Sequence, residues 1–299
     1  MKSIYLISFC FLVSEVFAQK QLSEKDKAFF LNYELKLQSL QNKLFSTKID
    51  SLKVKYNKEF LAVLDTVLSA ELSFYYPFDS LTQIARLTSP DNKFRIINWN
   101  IYKGDGAYFY FGFLQSFVSK DGKYEYFKLV DRSAGIKNPE TYIGEPDKWF
   151  GMLYYGKIIK NEDYYTLLAW DGNDKITQKK FIEILYFKDN GDPVFGKDVF
   201  KMPKKNPRRI VFEYSSEITM SLKYNEDKRM IVFDHLAPKD PFMEGQYQFY
   251  GPDFSYDAFD YSKGKWKFIP DIDIKNIKNK NDNSKHVENK NEKPIYTPQ

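Results

Sequence analysis

The chain has 299 residues, a net charge of +5 spread along its length, and a single cysteine. A charge this small and dispersed excludes a basic nucleic-acid face and a strong attraction to anionic lipid. One cysteine excludes an intrachain disulfide framework, and a chain this long can bury a sufficient apolar core without one.

The first eighteen residues read as a secretory signal peptide. Lys2 supplies the charged start, Ile4 to Val13 an uncharged apolar stretch, and Val16-Phe17-Ala18 a small-residue cleavage site, so the mature chain is expected to begin at Gln19. Cys10 lies inside that stretch, after Phe9 and before more apolar residues, which does not fit a lipidation site. The mature protein then has no thiol, no later segment long enough to span a membrane, and a periplasmic or extracellular address.

Residues 19–76 contain neither Gly nor Pro, whereas all 14 glycines and 13 prolines fall from Pro77 onward. Gly and Pro punctuate turns, so long elements are expected first and many short ones afterwards. In the first part, Phe30, Tyr33, Leu37, Leu40 and Leu44 follow helical spacing, and Ile49, Leu52, Tyr56, Phe60, Val63, Val67 and Ala70 form a second stripe. The five-residue step from Leu44 to Ile49 breaks the phase and predicts a helical hairpin, with Ser46 or Thr47 capping the second helix. Its stripes are expected to pack on each other and on the body rather than form a coiled coil.

From residue 77 to 270, runs rich in Tyr, Phe, Ile and Val alternate with Gly, Pro, Asn and Asp, which predicts about a dozen strands in sequential hairpins. The runs are 93–99, 107–118, 124–130, 152–160, 163–170 and 181–187. Residues 209–214, 218–224 and 229–233 read as a meander, and 256–261 with 265–269 as a last hairpin over Ser262-Lys263-Gly264. The fold class is therefore α+β and predominantly antiparallel β: a helical hairpin followed by a meander body built as a sandwich, a barrel or propeller-like blades. Trp99-Asn100, Trp170-Asp171 and Phe233-Asp234 end their runs alike and suggest a weak internal repeat. Residues 271–299, rich in Lys and Asn, are expected to remain disordered, having too little apolar surface to offset ordering.

The runs Tyr164 to Asp174, Ile231 to Leu236 and Gly251 to Asp257, with Tyr76 to Leu81 and Leu87 to Asp91, resemble a family of uncharacterised exported bacterial proteins over roughly residues 70–275. The resemblance implies export and one shared body. It brings no activity, cofactor or catalytic residue.

No Gly-x-Ser-x-Gly elbow, phosphate loop or dinucleotide fingerprint occurs. His235 is the one histidine of the folded part, since His286 lies in the tail. Its neighbour Asp234 points to the opposite strand face and is badly placed to orient it as a general base. Asp171, Asn173 and Asp174 on one turn, and Asp253 and Asp257 on another, are candidate calcium ligands, against the simpler reading that Asp and Asn stabilise their own turns. Aromatic residues make up 18% of the chain. They are expected mostly in packing, with Trp99, Trp149, Trp170 and Trp266 as candidates for stacking on a sugar ring. Two functions follow: a non-catalytic binding or envelope-associated protein whose partner is a glycan or another envelope protein, or a hydrolase acting on a glycan or envelope polymer. A pair of carboxylates in a cleft beside tryptophan would favour the hydrolase, and an aromatic groove without one the binder.

Overall fold

The computed structural model describes residues 22–104, 106–118 and 123–273. The expected signal peptide, Cys10, Asp121 and Gly122 between two expected strands, and the expected tail from residue 274 lie outside them.

Helix α1 (Glu24–Ser46) starts in a capping box, with the Ser23 hydroxyl accepting from Asp26 N–H and the Asp26 carboxylate accepting from Ser23 N–H. It runs back against α2 (Asp50–Leu68) as the broken phase predicts. The cap differs from expectation. Ser46 belongs to α1, Ile49 is the N-cap of α2 without a side-chain bond, and Thr47 spends its hydroxyl on Ile49 N–H inside the connection. Ile49 itself is exposed, so the buried stripe of α2 begins only at Asn57 and Phe60.

Three open sheets follow, each built around a four-position meander. The first is β1 (Ala85–Thr88), β2 (Phe94–Tyr102), β3 (Tyr108–Val118) and β4 (Lys123–Val130), in that order. The second sets β5 (Leu153–Lys160), β6 (Tyr165–Asp171) and β7 (Thr177–Phe187) side by side. Its outer position is shared, with β8 (Pro193–Phe195) along one end of β7 and β10 (Ile210–Ser215) along the other. The third places β11 (Leu222–Asn225), β12 (Met230–Pro238), β13 (Tyr250–Ser262) and β14 (Lys265–Ile269) in sequence and adds β9 (Phe200–Lys201) at its edge.

Strand alternation stacks these layers. Ile97, Trp99, Ile101 and Phe113 turn one face of the first sheet to the helices. Phe94, Ile96, Tyr110 and Leu114 turn the other face to Tyr154, Tyr165, Leu167 and Phe181 of the second sheet. Leu168, Ile182, Ile184 and Tyr214 then pack on Leu222, Ile231, Phe233 and Trp266 of the third. The order helices, sheet, sheet, sheet explains why residues 107–113 carry aromatics on both faces: Phe113 meets the helices and Tyr110 the second sheet, while Phe109 stays exposed.

The pairing is antiparallel apart from β9 with β14 and the bridge between Asp131 and Trp149, as the predominantly antiparallel class expects. Three expectations need correction. The 209–233 meander is split: β10 pairs with β7 in the second sheet, while β11 and β12 belong to the third. Strand β13 begins at Tyr250, six residues before the expected start, and with the end of β12 forms a two-stranded ribbon. The body also outlasts residue 270, since Asp271 N–H donates to the Asp257 carboxylate and Ile272 N–H to Tyr256 C=O. The last hairpin is confirmed. Lys263 and Gly264 both have positive φ, 50° and 74°, as a two-residue turn matching strand twist requires.

The three similar strand ends do share a place. Trp99, Trp170 and Phe233 each lie on the second strand of a sheet. They do not share a face. Trp99 packs toward the helices, Phe233 belongs to the core between the second and third sheets, and Trp170 stands edge-on to Tyr108 of the first sheet.

Candidate functional site between the sheets

The first and second sheets part at one end and leave a cleft of about 830 Å³. Lys93, Ser116 and Phe117 come from the first sheet, Lys160 and Tyr165 from the ends of β5 and β6, and Phe187, Lys188 and Asp189 from the end of β7 and the turn after it. The floor is aromatic. Tyr165 stands edge-on to Phe94 at 4.7 Å and to Phe187 at 6.1 Å. Its hydroxyl donates to Asp91 at 2.8 Å, and Lys160 Nζ reaches the same carboxylate oxygen at 3.0 Å. Burial opposes charge on Asp91, but the hydrogen bonds from Tyr165, Lys160 and Ser89 outweigh it and hold the carboxyl below the usual range. Burial, then that bond to Asp91, pushes the Tyr165 phenol far up, so it stays a neutral donor. The Ser116 hydroxyl is buried in this wall without a hydrogen-bond partner. A buried unpaired hydroxyl costs on the order of 1–3 kcal/mol.

A second pocket of about 480 Å³ abuts the cleft and shares Lys93 and Phe117 with it. Phe74, Tyr75, Arg86, Asp91, Arg95 and Tyr124 line the rest. Phe74 and Tyr124 stack at 3.5 Å.

The residues singled out from sequence fall elsewhere. Trp99, Trp149 and Trp266 are core residues with no face for a sugar. Each indole N–H is satisfied internally, by Asn57, Tyr154 and Thr166 respectively. Trp170 is half-buried, bonded to Gln178 and edge-on to Tyr108. No tryptophan lines either cleft.

His235 sits where β12 bulges against β13, and Asp257 of the adjacent strand, not Asp234, holds its Nδ1 at 2.7 Å. Asp234 instead accepts from Ser221 N–H. The hydrogen bond to Asp257, against partial burial, and the charges of Asp257, Asp253 and Asp271 raise the imidazole pKa. Orientation of a histidine by a carboxylate is therefore present, supplied across the ladder by a residue that sequence proximity did not indicate. The pair stands outside both clefts.

The acidic turns spend their oxygens on the protein. Asp171 accepts from Tyr110 O–H and Asn173 N–H, and burial raises its pKa. Asp174 accepts from Ile176 and Thr177 N–H, and the Asn173 amide donates to Asp174 and Thr177. Asp253 accepts from Ser255, and Asp257 from Asp271 and His235. Among the described residues no three His, Cys, Asp or Glu side chains converge as metal ligands.

Sequence reading missed Lys93, Ser116, Phe117, Lys160, Tyr165, Phe187 and Arg95. Only Arg95 left a signal, a charge set inside the apolar run Phe94 to Ile97. The others come from strand ends brought together by sheet stacking.

The fold and clefts define a layered α+β protein with polar-aromatic gaps between its sheets. Among the described residues no helix is long and apolar enough to cross a membrane. The chain matches no family model, no curated protein and no solved structure. The comparisons therefore show no family for the chain.

Proposed function

We propose that the chain is an exported, non-catalytic binding protein of the cell envelope, with a hydroxyl-rich ligand of the glycan class seated in the cleft between the first and second sheets. The observation that carries the reading is one cleft lined by aromatic rings, the buried unpartnered Ser116 hydroxyl and the lysines Lys93, Lys160 and Lys188, the last two paired with Asp91 and Glu145. Aromatic faces take the apolar side of a sugar ring, and fixed donors take its hydroxyls. Export rests on the leader-like residues 1–18.

The hydrolase reading has Glu162, Asp163 and Asp189 at the same rim. Asp163 is ion-paired with Lys197, and no tryptophan stands beside any of the three in the cleft. That favours binding over cleavage.

The test is an array of envelope glycan fragments probed with the mature chain, followed by calorimetry and product analysis of any hit. Expected are saturable binding, loss of roughly tenfold in affinity (about 1.4 kcal/mol) in Phe117→Ala, and recovery of the glycan intact. No retained glycan, or retention unchanged by Phe117→Ala, sinks the binding reading. Cleavage abolished by Glu162→Gln would establish the hydrolase instead.

A further inference from the structure

The smaller pocket contains a cation that no carboxylate pairs with among the described residues; the rings of Phe74 and Phe78, each 5.5 Å from the guanidinium carbon of Arg95, are its electrostatic partners. Arg95 is 4% exposed, and its guanidinium is fixed by three neutral acceptors. Nε and Nη2 bond the Gln115 amide oxygen at 3.1 and 2.5 Å, Nη2 also the Ser73 carbonyl at 2.9 Å, and Nη1 the Tyr76 carbonyl at 2.7 Å. Gln115 is itself held by the Ser73 hydroxyl, which donates to Leu68 C=O. Four of the five N–H groups are thereby spent and the head is locked, with one Nη1 N–H remaining. No carboxylate touches Arg95 among the described residues. Burial and the nearby Arg86 cation lower its pKa to about 9, the direction expected of a buried cation lacking a counter-ion.

The pocket's own acids do not serve. Asp79 pairs with Arg86 at 3.0 Å, and Asp91 is taken by Tyr165 and Lys160. Lys93, in the bend just before β2 and two residues from Arg95, lines the same pocket and has no carboxylate partner among the described residues. Around these two cations stand the rings of Phe117 and Tyr124, in a space of about 480 Å³.

We propose that this pocket is an anion site for a small monocarboxylate with a flat apolar body. Arg95 and Lys93 receive the carboxylate, and the body lies against Phe117 and Tyr124. A buried cation without a counter-ion is costly, and a ligand carboxylate removes that cost while gaining charge-assisted hydrogen bonds from the one remaining Nη1 N–H of Arg95 and from the Lys93 ammonium. The inference does not require the larger cleft to bind glycan.

Benzoate is the probe, with benzamide as its neutral counterpart and inorganic phosphate as a ring-free anion, each titrated into the mature chain by calorimetry and by NMR of the arginine Nε–H signals. Expected are saturable benzoate binding that moves the Arg95 Nε–H resonance, benzamide weaker by roughly tenfold or more, and a similar loss in Lys93→Gln. Lys93 is exposed, so that variant keeps the fold. Arg95→Met is not relied on, because it also unties the Ser73 and Tyr76 carbonyls. Benzoate that leaves the Arg95 signal unmoved, benzamide binding equally well, or phosphate competing as strongly as benzoate each overturns the proposal. Lys188→Ala, which touches only the larger cleft, is expected to leave benzoate affinity unchanged, separating this outcome from that of glycan binding.

Discussion

At the scale of single residues, the interior carries two buried cations with opposite solutions. Arg209 is wholly buried and ion-paired with wholly buried Glu183 at 2.8 Å, and it also donates to the carbonyls of Pro139 and Tyr142. Burial raises the Glu183 pKa, and Arg209 opposes that rise. Glu183→Gln leaves the cation without a counter-charge in the second sheet. A urea melt is expected to show a loss of about 3–5 kcal/mol, with Glu183→Leu/Arg209→Met costing less than the sum of its single changes. Additive losses would mean that the two charges are not coupled. His235 gives a pH signature instead. Its folded pKa is raised, so its contribution is complete below the ordinary histidine value of about 6.5 and is lost as pH climbs through the folded value. With a side chain 45% exposed, solvent screening limits the pair with Asp257 to below about 1 kcal/mol. Melting temperature is expected to fall on going from slightly acid to mildly alkaline pH, and His235→Gln to flatten that segment. An unchanged slope in the variant would assign the effect to other groups.

At the scale of elements, legibility followed the range of the interaction. The helical hairpin was readable because its apolar spacing and its lack of Gly and Pro are local properties. Strands β2, β3, β6 and β7 were readable for the same reason, as was the Lys263-Gly264 turn. The partner of β10 was not, because an alternating strand carries no label for the edge it joins. Nor was the ribbon of Tyr250 to Ser255 against the end of β12. None of its residues is fully buried, and one of them, Phe254, takes φ 72° opposite the His235 bulge at 94% exposure. A stretch that buries little leaves no hydrophobic pattern to read.

At the scale of the whole molecule, the helices act as the outer lid of the first sheet. They cover Ile97, Trp99, Ile101 and Phe113, and Asn57 of α2 accepts the Trp99 indole N–H at 2.8 Å. A chain lacking residues 19–70 would expose that face and orphan that donor. Loss of soluble monomer is the expected outcome, measured by light scattering after refolding; a soluble, strand-rich monomer would show that the three sheets are self-sufficient.

The order of helix before strand, the antiparallel hairpins and the aromatic-rich core follow from the residues alone, since each depends on spacing and turn chemistry within a short window. Stacking decided the rest. It buried Trp99, Trp149 and Trp266, brought Asp257 to His235, and set Lys93, Ser116, Phe117, Lys160, Tyr165 and Phe187 around one cleft. The cleft joins residues up to 98 positions apart, Lys93 to Gly191, and linear spacing holds no record of which sheet faces lie together.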